Sequence, residues 1–247
     1  VAGNAVLVTG ATGFLGRYLV RELLERPGLH IACLVRAGSA GQARERLRLS
    51  LAAAGVDWSR HQHRLHALAG ATHLPRLGLG AGDYHRLAGQ VGAIYHCAAD
   101  VSWARGYRRL RRSNVLGTLE LIRFACSGPL KRVYFSSSIT VCFATPGPAA
   151  IHEGTDMLPY VTQMPLPYAQ SKCVAESLLR AAAERGLPVA VIRPALISGD
   201  SASGEANVDD LISALIQGCV ASGAAIDSDW LMDCMPVDYV ARVLATL

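Results

Sequence analysis

The sequence predicts an α/β fold in which a doubly wound parallel sheet carries helices on both faces. Up to Arg193, short apolar runs alternate with longer amphipathic stretches, which is the pattern of successive βαβ units. Right-handed crossovers between such units give the doubly wound strand order. A glycine-rich turn follows the first apolar run, and 247 residues, 51% of them hydrophobic, suffice for one sizeable core.

The first strand and the glycine turn after it organise the rest of the chain. An apolar run at 6–8 is followed by glycines at three-residue spacing and then by an amphipathic helix. Gly10 lets the chain turn, Gly13 lets the backbone approach a diphosphate, and Gly16 lets the helix pack close to the strand. The residues of this turn that we expect to bind a dinucleotide are Thr9, Gly10, Thr12, Gly13, Phe14, Leu15 and Gly16.

The second strand predicts which dinucleotide binds. It runs from His30 to Val35 and ends at Arg36, and no Asp or Glu occurs from 29 to 43. A carboxylate at this point accepts the 2′-hydroxyl of NAD, whereas an arginine suits the 2′-phosphate of NADP. Arg36 therefore predicts NADPH. Arg46, on a helix expected over 43–54, is either a second phosphate contact or an exposed helix charge.

Three more strands and one helix are expected in the middle of the chain. The strands are 64–69, 91–97 and 131–137, with a loop around Pro75 and a helix over 110–126. Ala98 and Ala99 follow the fourth strand, where small side chains leave room for the flat ring of a cofactor.

After a Pro- and Gly-rich loop at 146–167, a helix is expected over 168–185 and a sixth strand over 189–193. From Pro194 the alternation stops. We therefore divide the chain into an NADPH-binding Rossmann-like domain at 1–193 and a small C-terminal substrate-binding region at 194–247. This region is expected to be incomplete and mainly helical, with helices over 207–222 and 237–247 and a short apolar piece near Trp230.

Composition excludes several classes of function. No apolar run approaches the ~20 residues of a membrane span, and no signal peptide precedes the first strand. The seven cysteines show no CxxC spacing, which suits reduced thiols in a cytoplasmic protein. The histidines at 61, 63, 66 and 73 have no ligand spacing, so no metal site is expected. The chain does not begin with Met, and we expect a monomeric domain of a longer polypeptide.

The net charge of +5 comes almost entirely from arginine. Five arginines cluster at 105–112 on a segment expected to be helical. We interpret this cluster as a solvated helix face, with a landing patch for an acidic partner as the alternative. Nucleic acid is not expected to bind, because no aromatic platform or known docking motif accompanies the arginines.

Three residues have the chemistry of hydride-transfer catalysis. Ser138 closes the serine run after the fifth strand, and Tyr168 and Lys172 lie four apart at the start of a helix. That spacing puts both side chains on one helical face. A nearby ammonium favours the phenolate, so we expect Lys172 to lower the pKa of Tyr168. Tyr168 then exchanges a proton with the substrate oxygen, and Ser138 hydrogen-bonds the same oxygen.

The sequence resembles the extended short-chain dehydrogenases/reductases over almost its whole length. The resemblance implies that Ser138, Tyr168 and Lys172 form the catalytic triad and that Lys172 also binds the nicotinamide ribose. It adds Asn114 and Pro194, with Ala98 and Ala99, to the cofactor contacts. The matching segments are 9–16 (TGATGFLG), 96–99 (HCAA), 114–118 (NVLGT), 136–138 (SSS), 168 with 172, and 193–194 (RP).

Within that family the chain is most similar to the thioester reductase domains that end nonribosomal peptide and polyketide synthases, and to those of carboxylic acid reductases. The resemblance implies an acyl or peptidyl thioester on the phosphopantetheine arm of a carrier protein as substrate. NADPH would reduce it to an aldehyde, and a second reduction would give an alcohol. The similar segments are 34–36 (LVR), 75–79 (PRLGL), 98–101 (AADV), 198–204, 207–210 and 236–240 (PVDYV).

The chain departs from the family at one position near the adenine, and two other functions are compatible with parts of the pattern. The family has a Gly-Asp pair near the adenine, where this chain has Gly70 and Ala71. One alternative is an NADP-linked extended short-chain dehydrogenase or epimerase that acts on a free small molecule such as a sugar nucleotide. Arg36 disfavours the epimerases, because those of the family commonly use NAD and an acidic residue at this position. The other is a redox-sensing binding protein without turnover, a class that often loses the tyrosine or the lysine retained here.

Overall fold

The structure is a computed structural model and describes residues 4–227, 229 and 231–247. Its main sheet is parallel throughout, in the order β3-β2-β1-β4-β5-β6. The order reverses between β1 and β4, where a crevice opens beyond the carboxyl ends of the strands. This topology confirms the predicted doubly wound fold. The strands are β1 (Ala5–Thr9), β2 (His30–Val35), β3 (Leu65–Ala69), β4 (Val91–His96), β5 (Arg132–Ser136) and β6 (Val189–Ile192).

Helices cover both faces of the sheet. Side chains alternate between the faces along each strand, so Leu7 and Val8, both fully buried, enter two different apolar cores. Leu19 packs in the core of Val8, and Phe124 packs in the core of Leu7. The helices are α1 (Phe14–Leu24), α2 (Ala40–Ala53), α3 (Trp58–His61), α4 (Ala81–Gln90), α5 (Tyr107–Arg111), α6 (Gly117–Ala125), α7 (Pro167–Ala183), α8 (Leu211–Ser222) and α9 (Val237–Thr246).

The segment between β3 and β4 differs from the expected loop because it contains α4. Tyr84 and Ala88, four residues apart, are buried in the core beneath the sheet. Glycines at 82 and 89 lie within the helix and weaken its intrinsic propensity. The helix is therefore stabilised by tertiary packing, which the local sequence pattern did not show.

The helix expected over 110–126 is interrupted by a π-helical turn, Arg112–Leu116, between α5 and α6. It also begins earlier, at Tyr107. Turns of this kind are rare and are frequent at functional sites. Asn114 lies at the centre of this turn and is buried.

The C-terminal region contains a small parallel sheet that the sequence analysis missed. In it, β7 (Leu196–Ser198) pairs with β8 (Cys234–Pro236). Helix α8 begins at Leu211 rather than 207, because the carboxylate of Asp210 caps it by accepting from the amide of Ser213 at 2.7 Å.

Helix α9 packs on α1 and places Val240 and Leu244 in the same core as Leu19. The division at residue 193 stays a prediction. Trp230, near which a short apolar piece was expected, lies outside the described residues.

Candidate active site

The glycine turn forms a tight cradle at the end of β1. Gly10 has a φ of +76°, and a Cβ there would lie 2.7 Å from the amide nitrogen of Ala98. A Cβ on Gly16 would lie 2.0 Å from the carbonyl oxygen of Gly10. Gly13 precedes α1 without a side-chain cap, and the first turn of α1 contains no acidic residue. Such a helix start, with free amides and no negative charge, fits the diphosphate of a dinucleotide.

A cavity of about 240 Å³ opens on one side of this cradle. We call it the small cavity. Arg36 and Arg46 reach it from the end of β2 and from α2, and the side chain of Arg46 also donates to the carbonyl oxygen of Arg36. Ala71, which the resemblance aligns with an aspartate of the family, is in its wall. The predicted residues that line it are Thr9, Gly10, Thr12, Gly13, Arg36, Arg46, Ala98 and Ala99.

A second cavity of about 890 Å³, the large cavity, opens on the other side of the cradle. It brings together Ser138, Tyr168 and Lys172, which come from two separate elements of the fold. It shares Gly10 and Gly13 with the small cavity. One extended ligand can therefore lie along the glycine turn with an end in each cavity. The other predicted residues that line it are Phe14, Leu15, Gly16, Arg36, Ala99 and Pro194.

Lys172 is held at the end of β5. Its Nζ donates to the carbonyl oxygen of Ser136 at 2.6 Å and lies 4.5 Å from the centre of the Phe135 ring. Burial lowers the pKa of this amine to about 8, and the charges of Cys97 and Glu176 act in the opposite direction. At neutral pH the group remains mostly an ammonium, held in one position.

The pKa of Tyr168 differs from the expectation. Burial raises it to about 12, and the nearby hydroxyl of Ser138 acts in the opposite direction. The expected lowering by Lys172 is absent in the chain by itself, because the ammonium is bound to Ser136 and is itself disfavoured by burial. Tyr168 is thus a neutral proton donor over the physiological range.

Ser138 is fixed by the turn that follows β5. Its Oγ accepts from the amide of Thr140 at 3.2 Å and lies 3.0 Å from the Thr140 hydroxyl. These contacts cap a short 3₁₀ helix over Ile139–Cys142. The hydroxyl of Ser138 keeps its own proton available for an oxygen in the large cavity, since both contacts use its lone pairs.

A buried chain of hydrogen bonds links the cradle to the π-helical turn. The amide of Ala98 donates to Thr9 Oγ1 at 3.3 Å, and Thr9 Oγ1 lies 2.8 Å from His96 Nδ1. His96 Nε2 lies 3.1 Å from Thr118 Oγ1, which donates to the carbonyl oxygen of Asn114 at 2.7 Å. Burial lowers the pKa of His96 to about 3, so the ring is neutral. Thr118 uses its own proton for Asn114, so His96 must donate to Thr118 Oγ1. The proton of the His96 ring is therefore on Nε2, and Nδ1 accepts from Thr9.

Asn114 is the one predicted cofactor contact that lines neither cavity. It is 2% exposed, and its carboxamide is used within the protein. Oδ1 accepts from the amide of Asp100 at 2.7 Å, and Nδ2 donates to the Asp100 carbonyl at 3.0 Å and to Ser171 Oγ at 2.9 Å. These contacts join three elements around the site, and the role of Asn114 as a cofactor contact stays a prediction.

The sequence that forms this site matches a family of known proteins. The model of an NAD-binding family described as male sterility protein matches residues 8–244. The chain belongs to this family. The match covers the glycine cradle, both cavities and all three residues of the expected triad.

Relatives in this family include parts of large synthases. The terminal R domain from the myxalamid PKS-NRPS pathway is 37% identical, with a TM-score of 0.92 over 99% of this chain and 62% of that chain. The reductase domain of a nonribosomal peptide synthetase from Mycobacterium tuberculosis is 32% identical, with a TM-score of 0.83 over 99% and 63%.

A component of the linear gramicidin synthase from Brevibacillus parabrevis is 37% identical over 99% of this chain and 5% of its own length. The chain thus spans less than two thirds of each of these relatives. A UDP-glucuronic acid 4-epimerase from Bacillus cereus, 19% identical with a TM-score of 0.68, shares the fold alone.

Two residues that line the cavities were not predicted from the sequence to belong to the site: His73, which was considered only as a metal ligand, and Ser137. His73 lies in the small cavity, where burial lowers its pKa and the positive charges of Arg112 and Arg36 lower it further. Ser137 lines the large cavity, is 3% exposed, and its Oγ has no partner within the described residues. The spacing of neither residue signals a ligand. The serine run drew attention to Ser137 only as a neighbour of Ser138.

Metal ligands, membrane-spanning helices and the arginine cluster were also considered from the sequence. No cluster of three or more potential metal ligands occurs within residues 4–227, 229 and 231–247. Over the same residues, no helix is long and apolar enough to cross a membrane. All five arginines at 105–112 are exposed, and α5 itself covers only 107–111, so Arg105 precedes the helix.

Proposed function

We propose that this chain catalyses the NADPH-dependent reductive release of an acyl or peptidyl thioester from the phosphopantetheine arm of a carrier protein, as an aldehyde. The observation that carries this proposal is the large cavity, where Ser138, Tyr168 and Lys172 meet the end of the glycine cradle. The reductase domains and the synthase among the relatives support this class of reaction.

NADPH is favoured over NADH by the charge of the small cavity. Arg36 and Arg46 line it, and no carboxylate is among its lining residues. A 2′-phosphate carries up to two negative charges, and arginine binds phosphate oxygens in a bidentate manner. NADPH, when bound, supplies the hydride that is added to the acyl carbon.

The chain's own residues position the thioester and supply the proton. Tyr168, neutral because its pKa is near 12, donates its proton to the carbonyl oxygen as that oxygen gains negative charge. Ser138 donates a hydrogen bond to the same oxygen. The resulting hemithioacetal collapses by breaking the C–S bond, which leaves an aldehyde and the free thiol of the arm. Reduction of the aldehyde by a second NADPH would give the alcohol.

Lys172 has two roles in this proposal. Its ammonium, held at the Ser136 carbonyl, offers its remaining N–H groups to the nicotinamide ribose. Its positive charge also stabilises the phenolate that Tyr168 becomes after proton transfer. The wall at Pro194 and Leu196 bounds the space left for the acyl chain.

The proposal includes a monomeric domain of a larger synthase, with 194–247 contributing to the substrate site. It also includes a cytoplasmic location, which the seven free cysteines support. Burial raises the pKa of the Cys33 thiol to about 12, so this residue is a core thiol rather than a reactive one.

NADPH oxidation with three candidate substrates tests the proposal. An octanoyl thioester on a carrier domain, free octanoate and a UDP-sugar are each supplied to the intact chain. We expect oxidation with the thioester alone, with aldehyde as the product. Oxidation with the UDP-sugar alone would favour the alternative of a dehydrogenase or epimerase that acts on a free small molecule.

A further inference from the structure

A strip of exposed arginines lies beside the mouth of the large cavity. We call it the arginine strip, and it occupies α5 and the residues that flank it. Five arginines occur in eight consecutive residues, and every one is exposed to solvent. The members of the strip are Arg105, Arg108, Arg109, Arg111 and Arg112.

The strip runs from a residue that lines the large cavity to the neighbour of a residue that lines the small cavity. Arg105, at one end, lines the large cavity together with Trp103. Arg112, at the other end, is next to Ser113, which lines the small cavity, and its charge acts on His73 there. A molecule that enters the large cavity on this side therefore passes the Arg105 end of the strip.

Most of the charge of the strip has no counter-charge among the described residues. Arg105 pairs with Asp100 at 2.5 Å, but the other four members make no ion pair and no side-chain hydrogen bond within the part of the chain that the structure describes. By comparison, the exposed Arg86 pairs with Asp83 at 2.6 Å. Like charges three and four residues apart on a helix repel each other, and an anionic partner would relieve this repulsion.

Apolar side chains accompany the charge at the mouth of the cavity. Val101 is 60% exposed and Trp103 is 43% exposed. A surface with a small apolar centre and a cationic border suits a protein partner whose apolar contact is surrounded by carboxylates. Trp103 is a single aromatic residue, which does not provide the row of stacking platforms that single-stranded nucleic acid requires.

We propose that the arginine strip, with Val101 and Trp103, is the docking surface for the carrier domain that delivers the thioester. This proposal rests on the proposed function. The phosphodiester of the phosphopantetheine arm passes Arg105 at the mouth, and acidic side chains of the carrier face Arg108, Arg109 and Arg111.

Two triple variants of equal charge test the docking surface. The strip variant is Arg108→Ser/Arg109→Ser/Arg111→Ser, which keeps Arg105 and Arg112 because both lie at the cavities. The control variant is Arg86→Ser/Arg132→Ser/Arg185→Ser. Its three positions are exposed and lie near the amino-terminal ends of β4, β5 and β6, at the edge of the sheet opposite the cavities.

The substrates are an octanoyl thioester on an acidic, phosphopantetheinylated carrier domain of a nonribosomal peptide synthetase, and octanoyl-pantetheine, which lacks protein and phosphate. In the strip variant we expect the KM for the carrier substrate to rise about tenfold at low salt, and less at high salt. The KM for octanoyl-pantetheine and both values of kcat should stay the same. In the control variant all values should stay within about twofold of the original. An unchanged KM for the carrier in the strip variant, or an equal rise with octanoyl-pantetheine, overturns the proposal.

Binding without turnover separates this proposal from the proposed function. The probe is the same carrier with its octanoyl group linked as an amide, followed by fluorescence anisotropy without NADPH. Binding that weakens about tenfold in the strip variant, with no reduction of either thioester by the original chain, supports docking and refutes the proposed function. Reduction of both thioesters together with unchanged binding in the strip variant refutes docking alone. Tighter binding of an RNA oligomer than of the carrier also overturns it.

Discussion

Asn114 Nδ2 donates a hydrogen bond to Ser171 Oγ at 2.9 Å. This bond joins the π-helical turn to α7 one residue before Lys172. Ser171 Oγ in turn donates to the carbonyl oxygen of Tyr168 at 2.7 Å. The start of the catalytic helix is therefore positioned by an asparagine that lines neither cavity.

Removing the two ends of this bond should have unequal effects. Asn114→Ala leaves the partly buried amide of Asp100 without its acceptor and removes the bonds of Nδ2, and it should lower the free energy of unfolding by roughly 2–3 kcal/mol. Ser171→Ala should cost about 1 kcal/mol, because Nδ2 keeps the Asp100 carbonyl. Urea unfolding at pH 7 measures both values. Equal losses of unfolding free energy in the two variants would contradict the conclusion that Asn114 holds more of this contact network than Ser171.

Tyr168→Phe tests the proton donor. The substitution removes one hydroxyl from a residue that is 8% exposed, and the ring keeps its packing. We expect kcat for thioester reduction to fall by about 10²–10⁴-fold, which is the usual contribution of a positioned acid. The Kd for NADPH, from fluorescence titration, should change less than about twofold. Turnover at the original rate would remove Tyr168 from the mechanism.

Arg36→Ala tests the preference for NADPH. Loss of a charge-assisted contact with a phosphate should weaken NADPH by about 10–100-fold. NADH lacks the 2′-phosphate and should bind the variant as it binds the original chain. Titration with the two cofactors gives the ratio. An equal loss for both would mean that Arg36 does not contact this phosphate.

Lys172 should make the stability of the chain depend on pH in a defined direction. Its pKa is lowered from 10.5 to about 8 on folding. Between these values the unfolded chain binds a proton that the folded chain does not, so stability rises with pH. The cost of the buried charge is fully present below pH 8. Relative to Lys172→Met, the original chain should gain roughly 3 kcal/mol between pH 8 and pH 10.5.

Urea unfolding of both chains at several pH values measures this gain. The other titrating groups are common to the two chains, so their contributions cancel in the difference. If the difference in unfolding free energy between the two chains stays constant with pH, folding does not lower the pKa of Lys172.

Local patterns predicted the parts of the fold that depend on near neighbours. The apolar run of β2 and the glycine turn were placed correctly because strand composition and glycine spacing are local signals. Helix α4 was missed because its stability comes from burying Tyr84 and Ala88 under the sheet. The pairing of β7 with β8 was missed because it joins Leu196 to Cys234 across 38 residues.

The sequence predicted which residues meet at the site, but not the hydrogen bonds and the burial that set their properties. The sequence placed Ser138, Tyr168 and Lys172 in one group, and all three line the large cavity. The sequence could not show that the ammonium of Lys172 binds the Ser136 carbonyl. It also could not show that burial, rather than this ammonium, sets the pKa of Tyr168. It also could not show where Asn114 points. These features depend on burial and on contacts between distant segments, which only the folded chain defines.

Transfer of deuterium from (4-²H)NADPH tests the central claim most directly. Both stereoisomers of the labelled cofactor are supplied to the intact chain with an octanoyl thioester on a carrier domain, and the product is analysed by mass spectrometry. We predict octanal with one deuterium on its carbonyl carbon from one of the two stereoisomers, and none from Tyr168→Phe. Release of unlabelled octanoate, with no octanal or octanol from either isomer, would contradict reductive release by this site.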